Sequence, residues 1–340
     1  DHLGLSRNTV SKALKNSSEV SENTRNLVIK TASKLGYKNA TFATPVIAAS
    51  ETGSNGTILF LTRTYASDSE FWTTVLRGIE SILSNANYHL AISIMSDSDL
   101  KQLNFPQTIS DSSIKGIILV EICDKVVCDA LSQFNLPIVS VDMPNVPFEE
   151  LNGIDVVTME SKKNLKKIIN QLIEKGAESF GFVGDLYSPN VSRGFQERYN
   201  ALSECLAEHQ LPLNQKNCLL HQTPEDFRNF QTTVNNLQAM ISLPDVFICG
   251  NDWTAIQLIY ALQFLGFQIP KDICVVGFDN IPAASRISPS LTTISTPQKY
   301  LGIAAARQIL ERIQHPNCPH VFCQYETELI IRNSTNIISF

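Results

Sequence analysis

The stretch DVFICGNDWTA, residues 245–255, holds an apolar run of four residues that ends at a glycine and passes at once into the polar pair Asn251–Asp252 and then a second apolar-rich segment. A run that short, bounded by polar residues and rich in β-branched and aromatic side chains, reads as a strand buried on both faces, and the segment after it reads as a helix. The same grammar recurs along the chain. TILFLTR (57–63), HLAISIM (89–95), GIILVE (116–121), PIVSVD (137–142) and DVVTM (155–159) form one series of strand candidates, with helices expected near 70–86 and 124–133. SFGFVGD (179–185), NCLLHQ (217–222), DVFICGND (245–252) and CVVGFDN (274–280) form a second, with helices expected near 160–175, 193–209, 225–241 and 253–265. Strands alternating with helices predict mainly parallel sheets, and two such series in tandem predict an α/β body of two lobes with a cleft between them. Ligands of such sheets bind at the carboxyl ends of the strands, so the polar residues just past each run carry the functional weight.

Composition bounds what such a body can be. The chain has 340 residues, 43% of them hydrophobic and 18% charged, enough for two cores and far from the makeup of a disordered or fibrous chain. No apolar run approaches the roughly 20 residues that span a bilayer, and DHLGLSRNTV at the start holds no apolar signal core, so the protein is expected to stay in the cytoplasm. The eight cysteines are scattered, several within strand candidates, as reduced buried thiols are.

Charge separates the first fifty residues from the rest. They carry seven Lys or Arg against three Asp or Glu, whereas the remainder carries 20 against 30 within a net charge of −6. A basic head on an acidic body suits a head that meets a polyanion. In SRNTVSKALKN (6–16), Ser6 can cap a helix over 9–16 whose Val10, Ala13 and Leu14 face inward, leaving Arg7, Asn8, Ser11, Lys12 and Lys15 outside. In SSEVSENTRNLVIKTASKLGY (17–37), Ser21 is a second N-cap, Leu27, Val28, Thr31, Ala32 and Leu35 form an apolar stripe, and Gly36 is a stop. Two short helices joined this tightly make a helix-turn-helix. Arg and Lys suit guanine edges, Asn suits adenine, and Ser and Thr suit phosphates.

The head resembles that of the LacI/GalR family of bacterial transcription regulators, with its order V-S-x-x-T-V-S-R-x-L-N, V-S-x-x-T-R and L-G-Y. The resemblance implies operator contacts from Ser6, Arg7, Asn8, Thr9, Ser11, Lys12 and Asn16, with Arg7 and Asn8 as the reading pair and Lys12 where an Arg is common. It also implies a hinge helix with an Arg and a wedging Leu, but here Thr44 replaces the Arg, Pro45 falls inside the helix and Val46 takes the wedge position. An internal proline costs a helix about 3 kcal/mol, which weighs against such a wedge, leaving a shorter helix started by Pro45 or a Ser/Gly/Thr linker as the alternatives.

The likeness extends through the body. SEFWTTVLRGIE resembles N-P-F-F-x-x-x-x-x-G-I-E and offers Phe71 and Trp72 for stacking; FQERYNALSECL resembles R-x-x-G-F-x-x-A-L and offers Arg198. DVFICGNDWTA supplies Asn251 and Asp252, CVVGFDNIP supplies Asp279 with Asn280 where a second Asp is common, and LTTISTP puts Thr296 where Gln is usual. YETELIIRNST matches the family's closing motif. The implied fold is a two-lobed periplasmic-binding-protein-like core of two Rossmann-like parallel-sheet subdomains behind the helix-turn-helix head. Its expected divisions are a head at 1–38, a linker at 39–56, and a body at 57–340, with lobe one near 57–158 plus 297–318 and lobe two near 159–296 plus 319–340.

Chemistry alone supports a ligand site, since carboxylates, amides, a planar Arg and an aromatic face are what a neutral polyol such as a sugar needs. Both tryptophans, Trp72 and Trp253, are expected at the cleft. The expected protein is a homodimeric, operator-binding regulator without cofactor, a repressor of carbohydrate genes with a sugar as small-molecule effector. Purine- or phosphoprotein-responsive regulation is the alternative, and a transport solute-binding protein would have no use for the head. No G-x-G-x-x-G after a first strand, P-loop or G-x-S-x-G supports an enzyme. In HPNCPHVFC, His315, Cys318, His320 and Cys323 are ligand types for zinc, but their spacing fits no common knuckle, and a loop leading to a strand is expected.

Overall fold

The computed structural model describes residues 5–14, 20, 21, 24, 27, 28, 31, 54–63, 69–186, 192–221 and 229–335. The chain divides into two compact units, Asp1–Gly53 and Ser54–Phe340. In the first, helix α1 (Arg7–Leu14) begins two residues earlier than expected, because the Ser6 hydroxyl accepts the Thr9 N–H at 3.1 Å and so makes Arg7 its first residue. Ser21 repeats the device with the N–H of Thr24 at 3.4 Å. Ala13, Val20 and Val28 are buried together, with Val10 and Leu5 packed against them. Leu27, expected on the apolar stripe, is exposed instead, since its neighbour Val28 takes the inward position. Asn16, the hinge residues Thr44, Pro45 and Val46, the stripe residues Ala32 and Leu35, and the stop Gly36 lie outside the described residues, as do the side chains of Arg7, Asn8 and Leu14.

The second unit holds two six-stranded sheets. The first comprises β1 (Thr57–Arg63), β2 (His89–Met95), β3 (Ile114–Val120), β4 (Ile138–Val141), β5 (Ile154–Met159) and β11 (Phe322–Tyr325), in the order β11-β5-β4-β3-β1-β2, all parallel. The second comprises β6 (Phe180–Asp185), β7 (Leu219–His221), β8 (Val246–Cys249), β9 (Cys274–Asp279), β10 (Thr292–Ser295) and β12 (Glu328–Ile330), in the order β12-β10-β9-β8-β6-β7. Here only the edge pair β10–β12 is antiparallel. Inner strands such as β4 and β8 are buried at every position, as parallel strands covered by helices on both faces must be.

Helices α2 (Glu70–Asn85), α3 (Asp97–Gln102) and α4 (Lys125–Ser132) belong to the first series, and α5 (Lys163–Glu174), α6 (Arg193–Glu208), α7 (Phe230–Ala239) and α8 (Asp252–Phe264) to the second. Helix α9 (Gln298–Gln314) then returns to the first sheet and packs along α2. Gly78 and Gly302 make that approach possible: a Cβ on Gly78 would collide with the Lys299 carbonyl, and one on Gly302 with the Val75 carbonyl. Neither α3 nor α9 was anticipated from the strand–helix alternation.

The last crossing between lobes falls later than the expected boundary at 318/319. Strand β11 pairs with β5, Phe322 opposite Val156 and Tyr325 opposite Met159, so the chain crosses at Glu326–Thr327. The physical reason is a buried anchor. Asp155, fully enclosed, accepts Arg312 Nε at 3.0 Å and Nη2 at 2.8 Å, the Val321 N–H at 2.8 Å and Gln308 Nε2 at 3.0 Å, and it lies 3.2 Å from His320 Nδ1. Arg312 also donates to the carbonyls of Pro316, Cys318 and Pro319. The loop 315–321 is therefore wrapped on a guanidinium and delivers β11 to the edge of β5, where it covers backbone groups that would otherwise be unpaired. Among the described residues no group of three His, Cys, Asp or Glu could hold a metal ion, no helix is long and apolar enough to cross a membrane, and all eight cysteines are free.

Candidate effector cleft

The cleft is built where strands end. Glu121 directly follows β3, Asp142 directly follows β4, and Asp279 closes β9; their φ values are 59°, 76° and 117°. Left-handed backbone at three non-glycine residues is strain that surrounding structure must hold. At Asp279 the hold is visible: its carbonyl accepts Gln298 Nε2 at 2.7 Å and the Thr296 hydroxyl at 3.2 Å. Thr296, which stands where Gln is usual, thus acts on the backbone of Asp279, and the amide comes from Gln298 two residues on.

Arg198, on α6, is 4% exposed. Its Nη1 donates to the Gly250 carbonyl at 2.7 Å, and its guanidinium lies over the Phe278 ring, 3.7 Å from the centroid. Its Nε has no hydrogen-bond partner. Burial pulls the Arg198 pKa down, while the charges of Asp279 and then Asp142 support it. Burial likewise pushes Asp279 well up, with Arg198 opposing and Asp252, Asp142 and Glu121 adding to the rise. Asp142 is also raised, burial outweighing the Met143 N–H, the Ser192 hydroxyl and the field of Arg198. Around one guanidinium, then, carboxylates from both lobes feel one another.

Asp142 also belongs to a seam between the lobes. The Arg193 N–H donates to the Met143 carbonyl at 2.9 Å, Pro144 forms a bridge with Ser192, and the Arg193 guanidinium lies 5.3 Å from the Phe322 ring. Ser192 is at the same time the N-cap of α6, accepting the Phe195 N–H at 3.2 Å. The helix that carries Arg198 is therefore started at the seam.

The other expected contacts have structural duties. Asn251 caps α8, its Oδ1 accepting the Thr254 N–H at 2.9 Å. Asp252 has no exposed surface; its oxygens accept the Thr293 hydroxyl at 2.5 Å and the Ile281 N–H at 2.9 Å, and its carboxyl tightly fills the space beside Gly277. It braces the loop after β9. Phe71 and Trp72 are buried edge to face with centroids 4.6 Å apart, and the Trp72 indole N–H donates to the Glu121 carboxylate. Trp253 is 52% exposed, on one side of α8 with Tyr260 and Phe264 at i, i+7 and i+11, rather than turned into the cleft. Asn280 is held by Arg332 Nη2 at 2.6 Å and reaches Ser295 at 3.1 Å.

Trp72, through Glu121, and Arg198, Asp279 and Thr296 are thus brought to one region, Phe71 packs on Trp72, and Asn251 and Asp252 are engaged within the second lobe. Glu121, Asp142 and Gln298 were missed. The first two end the runs GIILVE and PIVSVD, which was their signal; Gln298, inside an unanticipated helix, gave none.

A helix-turn-helix head and a body of two parallel sheets with polar strand ends define a DNA-binding regulator with a two-lobed ligand domain. Residues 2–39 match the bacterial regulatory proteins of the lacI family, and residues 169–335 match the periplasmic binding protein-like domain. The chain thus carries a lacI-family DNA-binding domain at its head and a periplasmic binding protein-like domain in its body. Similar proteins include the ribose operon repressor of Haemophilus influenzae, 27% identical over 97% of this chain and 95% of that one. The repressor PurR of Photobacterium profundum is 26% identical over the same shares, and catabolite control protein A of Staphylococcus xylosus is 27% identical over 93% of each chain. Among solved structures, the regulator CelR with cellobiose has a TM-score of 0.70 at 19% identity, covering 97% of this chain and 96% of that one. A LacI-family regulator of Enterococcus faecium with ribose has 0.67 at 23%, covering 83% and 100%.

Proposed function

We propose that this regulator is a cytoplasmic repressor of carbohydrate genes whose operator affinity is set by a sugar bound between its lobes, with the head at 1–38, the linker at 39–56 and the body at 57–340. The observation that carries the reading is Arg198: a buried guanidinium packed on the Phe278 ring, in the field of Asp279 and Asp142 and with Nε unpartnered, offers a planar donor to a ligand oxygen. Asp279, whose backbone is clamped by Gln298 and Thr296, supplies the matching acceptor. The sugars in the CelR and Enterococcus structures and the name of the ribose operon repressor support the same class. Trp72 is buried with its N–H engaged, which favours a sugar over a stacked purine.

Lobe closure would work through the seam at Met143–Ser192 and change DNA affinity because the ligand prefers one lobe arrangement, and the coupling is reciprocal. Operator reading is assigned to Arg7, Asn8 and Lys12, with Ser6, Thr9, Ser11 and Asn16 supporting. A homodimer is expected, since one helix reads only a few base pairs and half-sites come in pairs. Two faces suit it: the α8 stripe Trp253, Tyr260 and Phe264, and Ile92 and Ile94 on the edge strand β2, each between 44% and 68% exposed.

The test is operator binding by fluorescence anisotropy against a panel of sugars. One sugar should shift the affinity, and Asp279→Ala should lose that shift while still binding operator. Arg7→Ala should relax sequence choice with modest loss of nonspecific binding. Equal sugar response in Asp279→Ala and the parent protein would overturn the cleft assignment.

A further inference from the structure

Three strand-end carboxylates, from two sheets and about 160 residues apart in the chain at the extremes, gather at the cleft, and two of them, Asp279 and Asp142, act on Arg198. Glu121 and Asp142 follow the paired strands β3 and β4 of the first lobe, Asp279 closes β9 of the second, and Asp279 feels the charge of both. Arg63, at the end of β1, is committed to an ion pair with Asp97 at 2.5 Å. Among the described residues these three carboxylates outnumber the guanidinium groups that act on them, Arg198 and the Asp97-paired Arg63. Arg198 adds an independent sign of a ligand, being a side chain 96% enclosed by its 4% exposure yet leaving Nε without an acceptor among these neighbours. A buried donor of that kind is satisfied by an oxygen that arrives with the ligand.

Building on the sugar-binding reading, we propose that Glu121 and Asp142 are specificity-determining residues that restrict the effector to an uncharged polyol and reject its phosphorylated or carboxylated forms. An alcohol hydroxyl can donate to a carboxylate and accept from Arg198 at once, so it satisfies both halves of the site. A phosphate or uronate oxygen can only accept, and it brings negative charge beside carboxylates in a partly desolvated cleft, where like charges repel more strongly than in water. Glu121 holds its place through the Trp72 indole N–H, and Asp142 through the Met143 N–H at 2.8 Å. Both anchors keep the carboxylates fixed instead of letting them swing away from an incoming anion. Left-handed backbone at both positions shows that the chain accepts a conformational cost to place these side chains there.

The experiment is calorimetric titration of the full chain with matched pairs: ribose and ribose 5-phosphate, glucose and glucose 6-phosphate, galactose and galacturonate. The neutral member of the binding pair should bind at least about tenfold more tightly than its anionic partner, the scale of one close charge repulsion. Glu121→Gln with Asp142→Asn should shrink that ratio by about tenfold or more, and each single variant should shrink it in part, so the comparison survives if the double variant folds poorly. An anionic sugar that binds as tightly as its neutral partner, with binding lost in Arg198→Ala, would overturn the charge selection and leave the cleft reading standing. Failure of every sugar to bind a protein that still binds operator would overturn the sugar reading, and this proposal with it.

Discussion

Asp252→Asn gives the sharpest test of how the second lobe is held together. Burial drives the Asp252 carboxyl from 3.8 up to about 7, against hydrogen bonds from the Thr293 hydroxyl and the Ile281 N–H and the more distant charge of Arg332. Because the folded value is the higher one, the folded protein holds the proton more tightly than the unfolded chain. The stabilisation is complete below about 3.8 and is lost as pH climbs through about 7. At about 1.4 kcal/mol per pKa unit, roughly three units amount to about 4 kcal/mol, of which about 2 to 3 kcal/mol falls between pH 5 and pH 8. An asparagine reproduces the protonated acid: its carbonyl can accept the Ile281 N–H, and its amide can donate to Thr293 Oγ. Urea unfolding followed by circular dichroism, at one-unit steps from pH 5 to pH 8, reads the difference between parent and variant. That difference should move by about 2 to 3 kcal/mol in the variant's favour as pH rises. Carboxylates that do not feel Asp252 titrate alike in both proteins and cancel; Asp279, whose rise Asp252 adds to, moves the difference in the same direction. A difference constant to within about 0.5 kcal/mol across the range would refute the argument that burial keeps a proton on Asp252.

Gly302→Ala should destabilise the first lobe by about 1–3 kcal/mol, because the new methyl meets the Val75 carbonyl where α9 crosses α2; thermal melting would show an unchanged Tm if the crossing relaxes freely. Asp155→Ala should cost about 3–5 kcal/mol, since it leaves the guanidinium of Arg312 buried without its carboxylate and unties Val321 at the start of β11. Limited proteolysis should then cut within 315–325 before any other segment of the body, and uniform cutting would contradict the anchor. Tyr260→Ser with Phe264→Ser should shift sedimentation from dimer to monomer and weaken binding to paired half-sites much more than to a single one. An unchanged sedimentation coefficient would remove α8 from the interface.

Residues read locally were legible in advance. The apolar runs that became β1 to β9 are short, β-branched and bounded by polar residues, and their period is a property of neighbouring positions. The caps at Ser6 and Ser21 are equally local, because each hydroxyl reaches an N–H three residues ahead. Arg198 and Asp279 could be singled out because they sit in motifs at strand ends. The sequence by itself thus determined the α/β layering, the basic helical head and the ends of the strands where chemistry gathers.

Tertiary structure alone decided which strand ends meet and which side chains remain free to act. Asn251 and Asp252 look like ligand contacts in the motif, but one is spent on the first turn of α8 and the other is sealed against Gly277 and Thr293. Glu121 and Asp142 look like ordinary loop carboxylates until the sheet order places their strands side by side and the seam brings α6 against them. Strand β11 could join either sheet by its composition; Asp155 and Arg312 draw it to the first. The physical reason is one of range. Backbone hydrogen bonding and hydrophobic periodicity act over a few residues, whereas desolvation and charge depend on what the folded chain packs around each group.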